Sequence, residues 1–246
     1  MPKLESAFET PQSKRQYVRN LFATIADRYD LITALLSYGQ DARWKRKLVS
    51  LAQVRPGERA LDLAAGTGDI AFAVADRGAR TIGLDITHRM LQLASAKSNT
   101  ARFITADMTS LPFASSSFDL VTTGYGLRNV PDLNTAIDEI ARVLKPGGRL
   151  LSLDFNKPEN AIVRAAYLGY LTVVGSTLGL ILHRDPDTYR YIPASIRGYP
   201  GARGVAERLA SRGFTRVTVI PLLFGLMSLH IAQLSTEARG AKVERP

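Results

Sequence analysis

At 246 residues, 46% of them hydrophobic, the chain has the size of one α/β domain with appended elements. Cysteine is absent, which excludes disulfides, thiolate metal sites and a cysteine nucleophile, and three scattered histidines offer no metal-ligand cluster. The net charge of +10 sits on the flanks: residues 1–50 carry +4, residues 51–159 are neutral and residues 160–246 carry +6. Basic flanks suit an anionic membrane surface or nucleic acid, and equally a solvated exterior.

Residues 1–13 and 236–246 read as polar loose ends without the apolar core of a secretory signal, so an intracellular location is expected. Residues 14–53 predict two or three helices, with Val18, Leu21, Phe22 and Ile25, then Trp44, Leu48 and Leu51, at helical spacing. After Pro56-Gly57, strands at 59–64, 81–85, 102–105 and 118–123 alternate with helices near 69–77, 88–97 and 133–144. Lys145-Pro-Gly-Gly148 is expected to stop the last helix before a fifth strand at 149–155. This alternation predicts a doubly wound, mostly parallel sheet of seven strands, with ligands at the carboxyl ends.

Residues 160–212 interrupt the pattern. Residues 165–182 carry no charge and approach the length of a membrane span, but Gly169, Gly175 and Gly179 and several hydroxyls favour an inserted cover over the active site. An internal core helix is the competing reading. Strands at 214–221 and 226–233 would close one edge of the sheet. The chain is thus expected to be a single domain over 1–246: N-terminal helices 14–53, a ligand-binding core 57–159, a cover 160–212, closing strands 213–235 and a loose tail 236–246.

Asp62-Leu-Ala-Ala-Gly66-Thr67-Gly68-Asp69 lies where a strand gives way to a helix, and its glycines permit a tight turn and close approach to a ligand. Ala71 stands where a dinucleotide fingerprint tolerates alanine, so the glycines alone leave a dehydrogenase open. Asp85 ends the second strand, where a carboxylate can accept both hydroxyls of a ribose. Asp107 and Met108 follow the third strand and suit an adenine edge and ring face.

Together, residues 62–69, Asp85, Asp107 and Lys145-Pro-Gly-Gly148 resemble the class I S-adenosylmethionine (SAM)-dependent methyltransferases. The resemblance resolves the ambiguity in favour of SAM and implies a Rossmann-like fold. It implies that Gly66, Thr67 and Gly68 hold the methionine part, Asp85 the ribose, and Asp107 and Met108 the adenine. Asp62, Ile86 and Gly124 complete the expected cofactor set, Gly124 standing where the family has a small hydroxylated residue.

Three further stretches resemble the methylases of ubiquinone and menaquinone biosynthesis: Phe22-Ala-Thr-Ile-Ala-Asp-Arg-Tyr-Asp-Leu31 with Trp44-Lys-Arg46, Tyr125-Gly-Leu-Arg-Asn-Val130, and Tyr189-Arg-Tyr191 with Ser195-Ile196. That resemblance implies C-methylation of a polyprenylated quinol, most simply demethylmenaquinol to menaquinol. The chemistry agrees: no Asn/Asp-Pro-Pro-aromatic turn follows the fourth strand, as amino methylation would want, and no cysteine is present to activate a pyrimidine. Arg128, Asn129 and Tyr29 are the candidate catalytic residues, with Arg128 as electrostatic partner to a developing phenolate. Tyr189, Tyr191 and His230 are candidates for contacting substrate, His230 as a proton relay. No nucleic-acid partner and no metal are expected. A homodimer is left open, and a membrane-held tail implies peripheral contact at the inner face of an anionic membrane. The rival readings are a methyltransferase of a soluble small molecule, an RNA methyltransferase suggested by the basic pI, and a SAM-binding scaffold without catalysis.

Overall fold

The computed structural model describes residues 4–236. Three helices open the chain, α1 (Pro11–Ile25), α2 (Tyr29–Leu36) and α3 (Asp41–Leu51), with a tight helical turn at Ala26–Arg28 between the first two. Helix α1 starts earlier than expected. Pro11 occupies its first turn, and the Thr10 hydroxyl accepts from the Ser13 amide at 3.0 Å in a capping box. The preceding segment is not loose over its described residues: Ala7 is buried and the Phe8 ring stacks on Tyr191. The expected tail lies outside the described residues from 237 onward.

The core alternates β1 (Arg59–Leu63), α4 (Asp69–Ala75), β2 (Arg80–Asp85), α5 (His88–Lys97), β3 (Arg102–Thr105), β4 (Phe118–Gly124), α6 (Leu133–Val143) and β5 (Leu144–Phe155). Three helices follow, α7 (Ala161–His183), α8 (Asp187–Gly198) and α9 (Gly201–Ala210), then β6 (Phe214–Leu222) and β7 (Met227–Leu234). The seven-stranded sheet has the order β3-β2-β1-β4-β5-β7-β6, with β1 to β5 parallel and β7 antiparallel to both of its neighbours. Strand order reverses between β1 and β4, which opens a crevice at their carboxyl ends. One apolar layer packs α6 and α9 on one face of the sheet, and another packs α3 and α4 on the opposite face.

Residues 145–148 differ from expectation. They do not separate helix from strand but bulge within β5. Leu144 pairs with Phe118 and Arg149 with Leu120, so the intervening residues, with Gly147 at φ +76°, loop out of register. Helix α7 is capped by Asn160 and lies along α8, where small residues allow close approach. A Cβ on Gly179 would sit 2.4 Å from the Asp185 carbonyl oxygen. Only 28% of its most apolar window is buried, so α7 is not an internal core helix.

Candidate active site

The glycine turn is built by left-handed backbone. Ala64 (φ +53°) and Gly66 (φ +55°) fold the chain back after β1, and Gly68 (φ +92°) starts α4. A Cβ on Gly68 would meet the Phe72 ring at 2.6 Å, so that glycine serves the turn and lines neither hollow described below. The turn is anchored to β2, because Asp85 Oδ2 accepts from the Gly66 amide at 2.9 Å and Oδ1 from the Thr87 amide at 2.8 Å. Burial raises the Asp85 pKa against the pull of those amides.

Two adjoining hollows lie at the crevice. The larger, about 70 Å³, is lined by Gly66, Asp85, Ile86, Asp107, Met108, Gly124 and Asn129 among others. The smaller is lined by Asp62, Gly66, Thr67, Asp69 and Lys45, and the two share Tyr29, Ala64, Gly124 and Tyr125. Asp62 Oδ1 accepts from the Thr122 hydroxyl at 2.7 Å, while its buried Oδ2 has no partner. Burial pushes Asp62 up to about 7, only partly offset by Thr122 and Lys45. Asn129 donates through Nδ2 to the Tyr125 carbonyl, and its buried Oδ1 has no partner. Gly126 keeps the larger hollow open: a Cβ there would lie 2.4 Å from Thr123 Oγ1 and 3.1 Å from Met108 Cε. Unpartnered acceptors for an ammonium, a buried carboxylate at the ribose position and a thioether at the adenine position fit SAM.

The N-terminal helices roof this site through polar contacts. Arg15 Nε meets Asp107 Oδ2 at 2.6 Å, and Thr67 donates to Asp30 at 2.6 Å. Lys97 meets Asp30 at 2.6 Å and Lys45 meets Asp69 at 2.9 Å. Asp107 is therefore paired across the mouth of the larger hollow as well as facing it.

Beyond Tyr29 and Tyr125 lies a third cavity of about 290 Å³, walled by Leu21, Phe22, Ile32, Trp44, Phe155 and Leu171 with other apolar and aromatic side chains. Arg128, Tyr189 and Tyr191 line it. Arg128 is buried. It makes a 3.3 Å ion pair with Asp154, which is itself 0% exposed, donates to Ser195, and lies 4.9 Å from the Phe155 ring centre. The Tyr191 hydroxyl has no partner, and Tyr189 bonds His183 at 2.8 Å. His230 reaches none of these hollows. It is buried on β7 with Nε2 bonded to the Ala202 carbonyl at 2.9 Å, and burial lowers its pKa. It faces α9, because an edge hairpin places its side chains against that helix and not over the crevice.

Sequence reasoning quoted Tyr125 and Lys45 only within motif stretches and gave no role to them or to Asp41. Tyr125 is a non-glycine residue at φ +61° immediately after β4 and lines all three hollows. Its hydroxyl donates to Asp41 Oδ1 at 2.7 Å, and Lys45 holds Asp41 Oδ2 at 2.6 Å. The i,i+4 spacing of Asp41 and Lys45 was the available signal, but it fits any exposed helix face equally well.

The model of the ubiE/COQ5 methyltransferase family matches residues 10–233. A demethylmenaquinone methyltransferase of Thermus thermophilus is 39% identical over 86% of this chain and 98% of its own length. A ubiquinone/menaquinone biosynthesis C-methyltransferase of Pseudomonas fluorescens is 38% identical over 89% of this chain and 90% of its own. Among solved structures, a SAM-dependent methyltransferase of Thermotoga maritima superposes with a TM-score of 0.64 at 16% identity, covering 88% of this chain and 99% of the other, which shows the fold. The chain belongs to the ubiE/COQ5 methyltransferase family and is a SAM-dependent methyltransferase.

Proposed function

We propose that the enzyme methylates a ring carbon of a polyprenylated quinol, demethylmenaquinol in the first instance, at the cytoplasmic face of a membrane. The observation that carries this reading is the apolar cavity meeting the cofactor hollows at Tyr29 and Tyr125. Its volume of about 290 Å³ is at the low end of the ~300–1,000 Å³ typical of small-molecule sites, enough for a head group and too little for a polyprenyl chain. The tail must therefore leave. Tyr38, Tyr170, Leu223 and Phe224, all exposed in part, line the cavity and mark its mouth.

SAM, when bound, would supply an electrophilic methyl, its sulfur keeping the electron pair of the broken bond. The chain supplies position, dryness and charge. Asp62 and the glycine turn would hold the ammonium end, Asp85 the ribose, and Asp107 and Met108 the adenine. Arg128, fixed by Asp154 and Ser195, offers its charge to a developing phenolate. Asn129 Oδ1 is free to accept from a ligand group. The apolar walls exclude water from the reacting carbon.

The membrane reading is supported by exposed apolar side chains on the elements that line the cavity. Leu31, Leu35 and Tyr38 of the α2 region, Val173, Leu180 and Ile181 of α7, and the fully exposed Phe224 present apolar side chains to solvent. Tyr38 and Tyr170 meet hydroxyl to hydroxyl and join the α2 region to α7.

The test is methyl transfer from labelled SAM to reduced short-chain demethylmenaquinol and, in parallel, to its benzoquinol counterpart. Label in the naphthoquinol supports the reading. Label in neither, with SAM binding intact, overturns it in favour of a soluble substrate or a scaffold. For the membrane, cosedimentation with anionic vesicles is expected to fall on Phe224→Ser, and binding indifferent to that change would refute the assignment of the surface.

A further inference from the structure

The quinol reading leaves open where the phenolic proton goes. Among the described residues, the lining of the apolar cavity contains no carboxylate and no histidine. Its arginine stays protonated and cannot serve as a base. A base must therefore be reached through a lining group, and two hydroxyls of the lining contact a titratable acceptor: Tyr125, which donates to Asp41, and Tyr189, which bonds His183. Tyr189 lines the apolar cavity alone. Tyr125 lines that cavity and both cofactor hollows, and so stands where the reacting carbon must meet the methyl donor.

The local build fits a relay. Tyr125 is held at φ +61°, a backbone state that is strained outside glycine and persists only where the surroundings impose it. Asp41 begins α3 and is buried, with its amide bonded to Ser37 Oγ at 3.1 Å. Lys45 takes one carboxylate oxygen, which leaves Oδ1 aimed at the phenol of Tyr125. Ser37 and Trp44, flanking Asp41 in sequence, line the apolar cavity, so the carboxylate sits just behind its wall.

We propose that Tyr125 and Asp41 form the proton path of the methylation. The inference rests on the quinol reading, that is, on a substrate with an ionisable ring hydroxyl beside the carbon that is methylated. The substrate O–H bond breaks as its proton passes to the Tyr125 oxygen, and the Tyr125 proton passes to Asp41 Oδ1. The electron pair left on the substrate oxygen moves into the ring, which forms the new carbon–carbon bond. The ring then loses the hydrogen of the methylated carbon as a proton to water, and the substrate oxygen recovers its own proton back along the path. The net release is one proton. Tyr125 never carries a full negative charge in this scheme, in keeping with burial raising its pKa well above the ordinary value. Lys45 holds the other oxygen of Asp41, and the other groups facing the pair are Asp69 on α4, Tyr29 on α2 and Asp154 on β5.

The experiment compares kcat, KM and SAM affinity of the wild-type chain, Tyr125→Phe and Asp41→Asn on a reduced short-chain demethylmenaquinol, from pH 6 to pH 10. Loss of general-base help is expected to lower kcat at pH 7 by about 10²–10⁴-fold in both variants, with KM and SAM affinity within about threefold of wild type. The deficit should shrink as pH rises, because hydroxide and ionisation of the quinol replace the relay. A purely structural role would give a deficit independent of pH. Tyr125→Phe guards against misfolding of Asp41→Asn, since it keeps the ring and removes only the hydroxyl. A kcat within threefold of wild type in Tyr125→Phe, or a deficit that does not narrow with pH, overturns the proposal while leaving the quinol reading intact. A wild-type chain that binds SAM and methylates no quinol overturns both.

Discussion

Replacing Asp62 by asparagine should move stability and cofactor affinity in opposite directions at high pH. Folded, Asp62 holds its proton up to about 7, against 3.8 for the free side chain, because burial penalises its charge. Its contribution to stability is therefore full below the unfolded value and is lost as pH climbs toward about 7. At about 1.4 kcal/mol per pH unit, the ionised carboxylate costs on the order of 4 kcal/mol above that window. Asparagine removes this cost but introduces a buried amide that lacks a second partner, at about 1–3 kcal/mol. Asp62→Asn should thus be about 1–3 kcal/mol more stable than wild type at pH 8, about equal to it near pH 5, and less stable by about 1–3 kcal/mol near pH 3, where both states of the wild type hold the proton. Asp85 and Asp154, also raised by burial, shift both proteins alike and cancel in the difference. SAM affinity at pH 8 should fall about 10- to 150-fold, the value of a charged hydrogen bond of about 1.5–3 kcal/mol. Urea unfolding at several pH values, with titration calorimetry for SAM, checks both arms. A stability difference that is flat from pH 4 to pH 8, or an unchanged affinity, would refute the role given to Asp62.

Three other substitutions probe separate parts of the site. Arg128→Ala strands a carboxylate that is 0% exposed, so stability should drop by about 3–5 kcal/mol and more at alkaline pH than at acid pH; denaturant unfolding of this variant against Asp154→Asn checks it. Gly126→Ala places a Cβ 2.4 Å from Thr123 Oγ1 and should cost about 1–3 kcal/mol while weakening SAM, both readable in thermal shift with and without ligand. Asp30→Ala removes the Thr67 and Lys97 contacts of the roof; because that pair is largely exposed, stability should change by less than about 1 kcal/mol, while stopped-flow should show SAM leaving several-fold faster.

The alternation of strands and helices was legible because a buried parallel strand is a short apolar run bounded by turn residues, whereas an amphipathic helix repeats at 3.6. That the glycine turn and the strand-end acids would gather at one crevice was legible for a related reason: glycines and acids at successive strand ends have few other uses together. The bulge at 145–148 was hidden, since Pro-Gly-Gly breaks a helix and loops out of a strand with the same residues. His230 read as a candidate because histidine is rare here, yet which way it faces depends on the β6–β7 hairpin register, and sequence alone does not set that orientation. Tyr125 was passed over because its role comes from a left-handed backbone that favours glycine and is set by surrounding packing.

The N-terminal helices explain why the two halves of the site form one unit. Their polar side chains, Arg15, Asp30 and Lys45, bind the cofactor side, while Leu21, Phe22 and Ile32 wall the apolar cavity. Tyr29 lies where the two meet and touches all three hollows. The larger cofactor hollow, about 70 Å³, is well below the ~300 Å³ of a small-molecule site, so a nucleoside-sized ligand enters only if that roof lifts. Of the contacts that hold it on the cofactor side, Arg15–Asp107 and Lys97–Asp30 are half-exposed ion pairs worth little each, whereas Lys45 is mostly buried against Asp41 and Asp69. The contacts on the other side are apolar and strengthen when a prenylated ring fills the cavity. The same helices thus roof the hollows at the glycine turn and wall the apolar cavity beside them.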